Sequence, residues 1–158
     1  MRLYITTLAA MIVAFTLSGC EQAVVDAEME KLCKQDGGMK LYEKVVLPKE
    51  QFTKYGDVKF FETSNTGGGY RAVWKYEPIP VKKPLLDILT WNHANLTKST
   101  VTVIREVDNK TLGTYISYAR IGGGIVPRLG PDPSKSCPPN ANSVNFLRTL
   151  FVQENQEK

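Results

Sequence analysis

The first twenty residues decide which part of this chain takes part in folding. The stretch from Leu3 to Leu17 is 15 residues long, carries no charge and is mostly apolar; Arg2 precedes it and Ser18-Gly19-Cys20 follows it. A helix that spans a bilayer needs about 20 such residues, so this stretch is short for one. A basic start, a short apolar run and small residues at its end are typical of an export signal. We therefore leave residues 1–19 out of the fold prediction.

The end of this segment is more specific than its composition. Leu17-Ser18-Gly19-Cys20 resembles the lipobox of bacterial lipoproteins, in which an aliphatic residue and two small residues precede a cysteine. The resemblance implies that the Cys20 sulfur, as a nucleophilic thiolate, takes a diacylglyceryl group. It also implies that a signal peptidase cleaves before Cys20 and that the new amino group is acylated, for example with palmitate. The alternatives are an ordinary signal peptide with a chance cysteine and an uncleaved anchor helix.

This resemblance predicts the domain organisation and the location of the protein. Residues 1–19 would be a lipoprotein signal peptide, and residues 20–158 a single mature domain held at the lipid bilayer through acylated Cys20. Two or more acyl chains anchor a protein stably. Position 21 is Glu, whereas Asp at that position retains lipoproteins of enteric bacteria in the inner membrane. We therefore expect a cell-envelope protein on the periplasmic face of the outer membrane.

Charge and length exclude some classes of function. The 158-residue chain has 20 Lys and Arg against 16 Asp and Glu, a net charge of +4, and no dense basic run. Such a mild excess is compatible with anionic lipid or cell-wall surfaces and does not indicate a nucleic-acid partner. Once the first 19 residues are removed, 139 remain, which suits one domain with a core of its own.

The remaining cysteines are even in number. With Cys20 assigned to lipid, Cys33 and Cys137 are left, and an oxidising compartment favours a disulfide between them. The bond would join the first helix to a proline-rich segment near the C-terminus. Two free thiols or a redox site are the alternatives. The chain has no Cys-x-x-Cys, and two distant cysteines with one histidine are too few ligands for a metal site.

Apolar spacing predicts one early helix followed by strands. A helical face over residues 21–35 consists of Val25, Met29, Leu32 and Cys33, and Asp36-Gly37-Gly38 should end the helix. We predict strands over residues 39–47, 58–63, 70–77, 100–107 and 112–121, with a glycine-rich turn at 64–69. Residues 84–91 fit a helix or a strand equally, and residues 144–152 have helix-like apolar spacing. The segment through Pro139 is rich in Pro, Gly and Ser, which indicates a long loop.

One helix followed by strands joined by short turns predicts an α+β fold, with the N-terminal helix packed on a mostly antiparallel sheet. A small β-sandwich is the alternative. The lipobox, the cysteine-bearing helix, Asp36-Gly37-Gly38, the late hairpin and Cys137 before a proline also resemble small uncharacterised proteobacterial lipoproteins. That resemblance implies no activity, and so it transfers no residue role to this chain.

Catalytic and cofactor signatures are absent from the sequence. His93 is the only histidine and has no evident partner for general-base work. Glu28 with Glu30, and Glu106 with Asp108, are carboxylate pairs whose separation across a cleft the sequence does not define. The triglycine runs match no phosphate-binding loop. We assign no catalytic residue, no metal ligand and no cofactor.

Three aromatic residues are the remaining candidates for binding. Tyr70, Trp74 and Tyr76 have the spacing of one strand face, where they would either form the core under the helix or present an aromatic surface to a partner. With no catalytic signature, the sequence favours a membrane-anchored domain that binds an envelope protein or peptidoglycan. An enzyme acting on envelope material and a small-ligand carrier are the alternatives.

The assignment of Cys20 can be tested directly. Cys20→Ala removes the sulfur that would receive the lipid, and without the lipid the signal peptidase has no substrate. We expect metabolic labelling with radioactive palmitate to be lost and the uncleaved precursor to accumulate. Normal processing of the variant would contradict the lipobox assignment.

Overall fold

The computed structural model describes residues 22–62, 64–82, 94–122, 134–139 and 142–154. Several sequence predictions fall outside these ranges. They are the signal peptide at 1–19, the lipid site Cys20, the ambiguous segment 84–91 and the lone histidine His93.

The first helix forms as the sequence predicts. Helix α1 covers residues 22–36, and its apolar face is buried, with Val25 and Met29 fully inaccessible to solvent. The Gly37 N–H donates to the carbonyl of Cys33 at 2.9 Å and closes the last turn. A side chain at Gly37 would come within 2.6 Å of that same carbonyl. Glycine is therefore required where α1 ends.

A mostly antiparallel sheet is the centre of the fold. Its strands among the described residues are β1 (Gly38–Leu41), β3 (Thr66–Gly67), β4 (Tyr70–Ile79), β5 (Asn95–Arg105), β6 (Lys110–Ile121) and β7 (Ser134–Cys137). The order across the sheet is β1-β6-β5-β4-β3, and β7 also pairs with β6. All of these pairings are antiparallel. The predicted α+β class is confirmed.

Two distant segments share one edge of strand β6. Strand β1 pairs with Gly113–Ile116, and β7 pairs with Tyr118–Ile121. Strand β5 pairs with the opposite edge of β6 over the same residues, so β7 and β1 follow one another along the remaining edge. The proline-rich segment that the sequence predicts as a loop therefore contains a strand, because pairing with β6 satisfies its backbone groups.

The two faces of the sheet carry separate cores. Alternation along β5 places Leu96 on one face and Val101 and Val103 on the other. Helix α1 covers the first face, where Leu96 and Tyr118 are buried together with Val25 and Met29.

The opposite face is covered by a second helix and a small sheet. Helix α2 (Ser143–Leu150) buries Phe146 and Leu150 against Val101, Val103 and Tyr115. The Asn142 side chain caps α2 by accepting from the Asn145 N–H at 2.7 Å. Strand β2 (Val45–Leu47) pairs in parallel with β8 (Phe151–Gln153), which follows α2 directly. The β-sandwich alternative is therefore not observed.

Two predicted strands differ from the structure. Residues 39–47 divide into β1 and β2, and residues 59–61 form a 3-10 helix where a strand over 58–63 is expected. The hairpin partner of β4 is only the two-residue strand β3.

The glycine turn has a steric cause, since a Cβ at Gly67 would lie 2.6 Å from Cβ of Phe60. The prediction for 144–152 is correct up to Leu150, after which the chain continues as β8.

The predicted disulfide is confirmed. Cys33 on α1 and Cys137 at the end of β7 are bonded, with their Cα atoms 6.1 Å apart and 104 positions apart in the sequence. The bond joins the helix to the edge of the sheet at the point where β7 and β1 meet. A cross-link over so long a loop restricts the unfolded chain strongly.

Removal of this bond should destabilise the domain. We expect Cys33→Ser with Cys137→Ser to lower the free energy of unfolding by about 2–5 kcal/mol, because the unfolded chain regains its loop entropy. Urea denaturation of the variant and of the wild type, with and without reductant, measures this. Reductant should shift the wild type alone, and equal midpoints for all samples would contradict the prediction.

Candidate binding surface

The three predicted aromatic residues lie on one face of β4 but differ in their exposure to solvent. Tyr70 is half-buried and packs against the core cluster, with its ring centroid 6.0 Å from that of Phe60 in a stacked arrangement and 5.2 Å from that of Phe151. Trp74 is half-buried and packs against the same cluster. Tyr76 is 65% exposed. The first two rings therefore take part in core packing, whereas the third lies at the surface.

Tyr76 lies at the border of a part of the sheet that no element in the described ranges covers. The strand register places it beside Ser99 of β5, and Ser99 beside Ser117 of β6. These neighbours have small side chains and are half-buried, so the ring projects above a low, hydroxyl-bearing surface. A tyrosine side chain has only two χ angles, so little conformational entropy is lost when a partner covers the ring.

We call this area the open half-face. The strand register and the alternation of side chains place its residues on the same face of the sheet as the residues that α2 covers. They lie farther along the strands, beyond the contact with α2. They are Tyr76, Pro78, Thr97, Ser99, Ser117 and Ile121. Ile121 is 53% exposed and lies two strands away from β4, so apolar side chains border the hydroxyl-bearing strip on both sides.

The open half-face exists because the two helices lie at different ends of the sheet. Helix α2 contacts the end that contains Val101 and Val103. Helix α1 contacts the other end, but on the reverse face, through Leu96 and Tyr118. The open half-face is thus the reverse side of the strands that support α1. The sequence pattern identifies this face in β4 and β6, but the position of the covering helices decides which part of it stays exposed.

On the reverse side, a polar cluster fastens the C-terminal end of α1 to the sheet. Asp36 accepts hydrogen bonds from Lys98 Nζ and from the Tyr118 hydroxyl, both at 2.6 Å. Lys98 Nζ also lies 5.5 Å from the centroid of the Tyr118 ring. Burial acts to raise the pKa of Asp36, but these two hydrogen bonds outweigh it and hold the pKa below its ordinary value of 3.8. Burial and the bond to Asp36 raise the pKa of Tyr118.

A second polar cluster fastens the other end of α1. Arg120 on β6 is 5% exposed and donates to Asp26 at 2.6 Å. Lys135 on β7 donates to Glu30 at 2.8 Å and lies 3.6 Å from Asp26. The hydrogen bond from Lys135 lowers the pKa of Glu30. Together with Cys33, these bonds hold α1 to the sheet along its length, which is a structural role.

The predicted carboxylate pairs are poorly suited to acid–base catalysis. On the surface of α1, Glu28 pairs with Lys31 at 3.3 Å and Glu30 pairs with Lys135 at 2.8 Å. In the turn between β5 and β6, hydrogen bonds from Arg105 lower the pKa of Asp108 to about 2. A carboxyl group with so low a pKa carries no proton to donate near neutral pH.

Two surface pockets occur in the described ranges. One, of about 550 Å³, lies between α1 and the chain after β4 and is lined by Val24, Ala27, Glu28, Lys31 and Pro80–Lys82. The other, of about 200 Å³, lies beside α2 and is lined by Phe61, Val144 and Leu147 with the Asp57–Arg148 ion pair. Both open to solvent.

Within the same ranges, no group of three His, Cys, Asp or Glu side chains converges in a way that could hold a metal ion. None of the helices there is long and apolar enough to cross a bilayer.

No protein-family model, no curated protein and no solved structure matches this chain.

The Asp36 cluster predicts a specific response to acid. Because the pKa of Asp36 is lowered in the folded protein, its contribution to stability is complete above an unfolded pKa near 3.8 and is lost as pH falls through the folded value. Asp36→Asn should lower the free energy of unfolding by about 1–3 kcal/mol at neutral pH.

The same variant should remove part of the stability loss that the wild type shows between about pH 5 and about pH 2. Glu28→Gln, on the same helix but outside the Asp36 cluster, is the control and should change stability by less than about 0.5 kcal/mol. Denaturation curves across this pH range provide the measurement. Identical acid profiles for Asp36→Asn and the wild type would contradict the role of the cluster.

Proposed function

We propose that this protein is a lipid-anchored, non-enzymatic domain of the cell envelope that binds another envelope component through the open half-face. The observation that carries the proposal is Tyr76, a large aromatic side chain that is 65% exposed on a rigid strand. Aromatic anchors of this kind contribute much of the binding energy at protein interfaces. The hydroxyl-bearing strip beside it offers hydrogen-bond donors and acceptors to a partner.

The anchoring part of the proposal rests on the lipobox motif at Leu17–Cys20. The Cys33–Cys137 disulfide supports it, since structural disulfides persist in oxidising compartments. Helix α1 includes residue 22, two positions after Cys20, so few residues would separate a lipid on Cys20 from this helix. The domain would then lie close to the bilayer surface.

The binding role is favoured over the alternatives by the described side chains. Three of the four carboxylates in the predicted acid–base pairs have a neighbouring cation as ion-pair partner, and they are Glu28, Glu30 and Asp108. A carrier of small apolar ligands needs an enclosed cavity. The two pockets described above are open, and charged side chains such as Glu28 and Lys31 line the larger one.

The test compares two tyrosines of similar exposure. Tyr76→Ala removes the proposed anchor, whereas Tyr55→Ala removes a ring that is 69% exposed but lies outside the open half-face. The full chain, extracted in detergent, is incubated with purified peptidoglycan sacculi in one arm. In the other arm it is cross-linked in cells, and the attached proteins are quantified by mass spectrometry.

We expect one of the two arms to show a partner whose yield falls at least about tenfold in Tyr76→Ala, the loss typical of an interface hot spot. Tyr55→Ala should bind like the wild type. The arm that responds identifies the class of partner. Equal yields for both variants in both arms would overturn the proposed function.

A further inference from the structure

Strand β4 has a pairing strand along one edge but only at the beginning of the other, outer edge in the described ranges. Strand β5 pairs with β4 along its whole length, from Tyr70 to Ile79. On the other side, β3 pairs only with Tyr70 and Arg71, and the Ala72 N–H donates to the carbonyl of Asn65 at 2.7 Å. Across the described part of the chain, no strand pairs with this outer edge after Ala72.

The direction of the backbone groups follows from that last hydrogen bond. Because the Ala72 N–H points outward, alternation directs the N–H and C=O groups of Trp74 and Tyr76 outward as well, together with the C=O of Pro78. Proline has no N–H to offer, and it is tolerated at an edge for that reason. A strand edge of this kind is a template for pairing with another strand.

The side chains along this edge form a self-complementary pattern. Lys75 and Glu77 lie on the same face of the strand, with 68% and 42% of their side chains exposed and their charged groups 2.9 Å apart. They are symmetrically placed on either side of Tyr76. Val73, 42% exposed, and Ile79 are the next pair outward from Tyr76 on that face.

We propose that a second copy of this chain pairs antiparallel with β4, about a two-fold axis at Tyr76. This register places Tyr76 opposite the partner's Tyr76, and Lys75 opposite the partner's Glu77. Trp74 then faces the partner's Pro78. Opposite charges at facing positions of an antiparallel pair are stabilising and like charges are destabilising.

Neighbouring registers are disfavoured by the same charges. Moving the axis by one residue toward the N-terminus places Lys75 opposite the partner's Lys75. Moving it by one residue toward the C-terminus places Glu77 opposite the partner's Glu77. Of these three registers, only the one with its axis at Tyr76 places Lys75 opposite Glu77 in both directions. In this register the outward-pointing backbone N–H and C=O groups of the two Tyr76 residues also form two hydrogen bonds with each other.

The dimer extends the proposed binding surface without depending on it. A two-fold axis perpendicular to the sheet keeps both open half-faces on the same side, so they become one continuous surface. Two linked sites engage a repetitive or multivalent partner more strongly than either site alone. The dimer is tested by cross-linking of the chain to itself, and so its failure is separate from the failure of partner binding.

The first experiment measures proximity at the axis. The full chain with Tyr76→Cys is produced in cells, and membranes isolated from these cells are treated with a short bis-maleimide reagent. The reagent bridges about 8 Å, which exceeds the roughly 5.5 Å expected between the two facing Cα atoms. Val107→Cys, at a position 86% exposed in the turn between β5 and β6, is the control. We expect a non-reducible dimer at Tyr76→Cys at least about tenfold above the control.

The second experiment tests the register by charge. In the Tyr76→Cys background, Lys75→Glu places like charges opposite one another and should lower the dimer yield about fivefold or more. Adding Glu77→Lys restores opposite charges in exchanged positions and should restore the yield. Raised salt should weaken the Tyr76→Cys dimer, because the charges are exposed.

Several outcomes would overturn the proposal. One is equal dimer yield at Tyr76→Cys and Val107→Cys. Another is a Tyr76→Cys product that contains a different protein in place of a second copy, which would assign the edge to a heterologous strand. A third is a yield that does not respond to Lys75→Glu, or that Glu77→Lys fails to restore.

Discussion

The attachment of α1 to the edge of the sheet is the interaction on which the rest of the structure depends. The Cys33–Cys137 bond joins the helix to β7, and β7 together with β1 completes the edge of β6. Asp36 with Lys98 and Tyr118 fastens one end of α1, and Arg120 with Asp26 the other. Without α1, the apolar side chains of Leu96 and Tyr118 would face solvent. The strands that carry the open half-face on their reverse side would then lose their support.

The division of the sheet into two half-covered faces follows from this attachment. Helix α1 covers one end of one face, and α2 with the β2–β8 pair covers the other end of the opposite face. Each helix therefore leaves the area behind the other uncovered. Helix α1 stabilises the sheet by packing on Leu96, and it lies on the face opposite to Tyr76. The placement of this helix therefore explains both the buried Leu96 and the exposed Tyr76.

Local patterns predict the parts of this fold that depend on neighbouring residues. Helical spacing predicts α1, turn residues predict the β5–β6 hairpin, and an even cysteine count predicts the disulfide. Strand β7 is not predictable in this way, since Ser134–Cys137 becomes a strand only through pairing with β6. For the candidate surface, alternation identifies the face shared by Tyr70, Trp74 and Tyr76. The exposure of Tyr76 depends on where α2 ends, which is a non-local property.

The shared edge of β6 also constrains the order in which the chain can fold. Among the described residues, β1 lies early in the chain, whereas β7 and α2 lie late, and all three contact β6. During synthesis, α1 emerges first and has no sheet on which to bury Val25 and Met29 until the strands that include Leu96 and Tyr118 have followed. Contacts between such distant segments slow folding and leave apolar surface exposed meanwhile. Of the described elements, α1 is therefore the one whose apolar face stays exposed for the longest time during synthesis. We expect it to be the segment most prone to aggregation before the chain is complete.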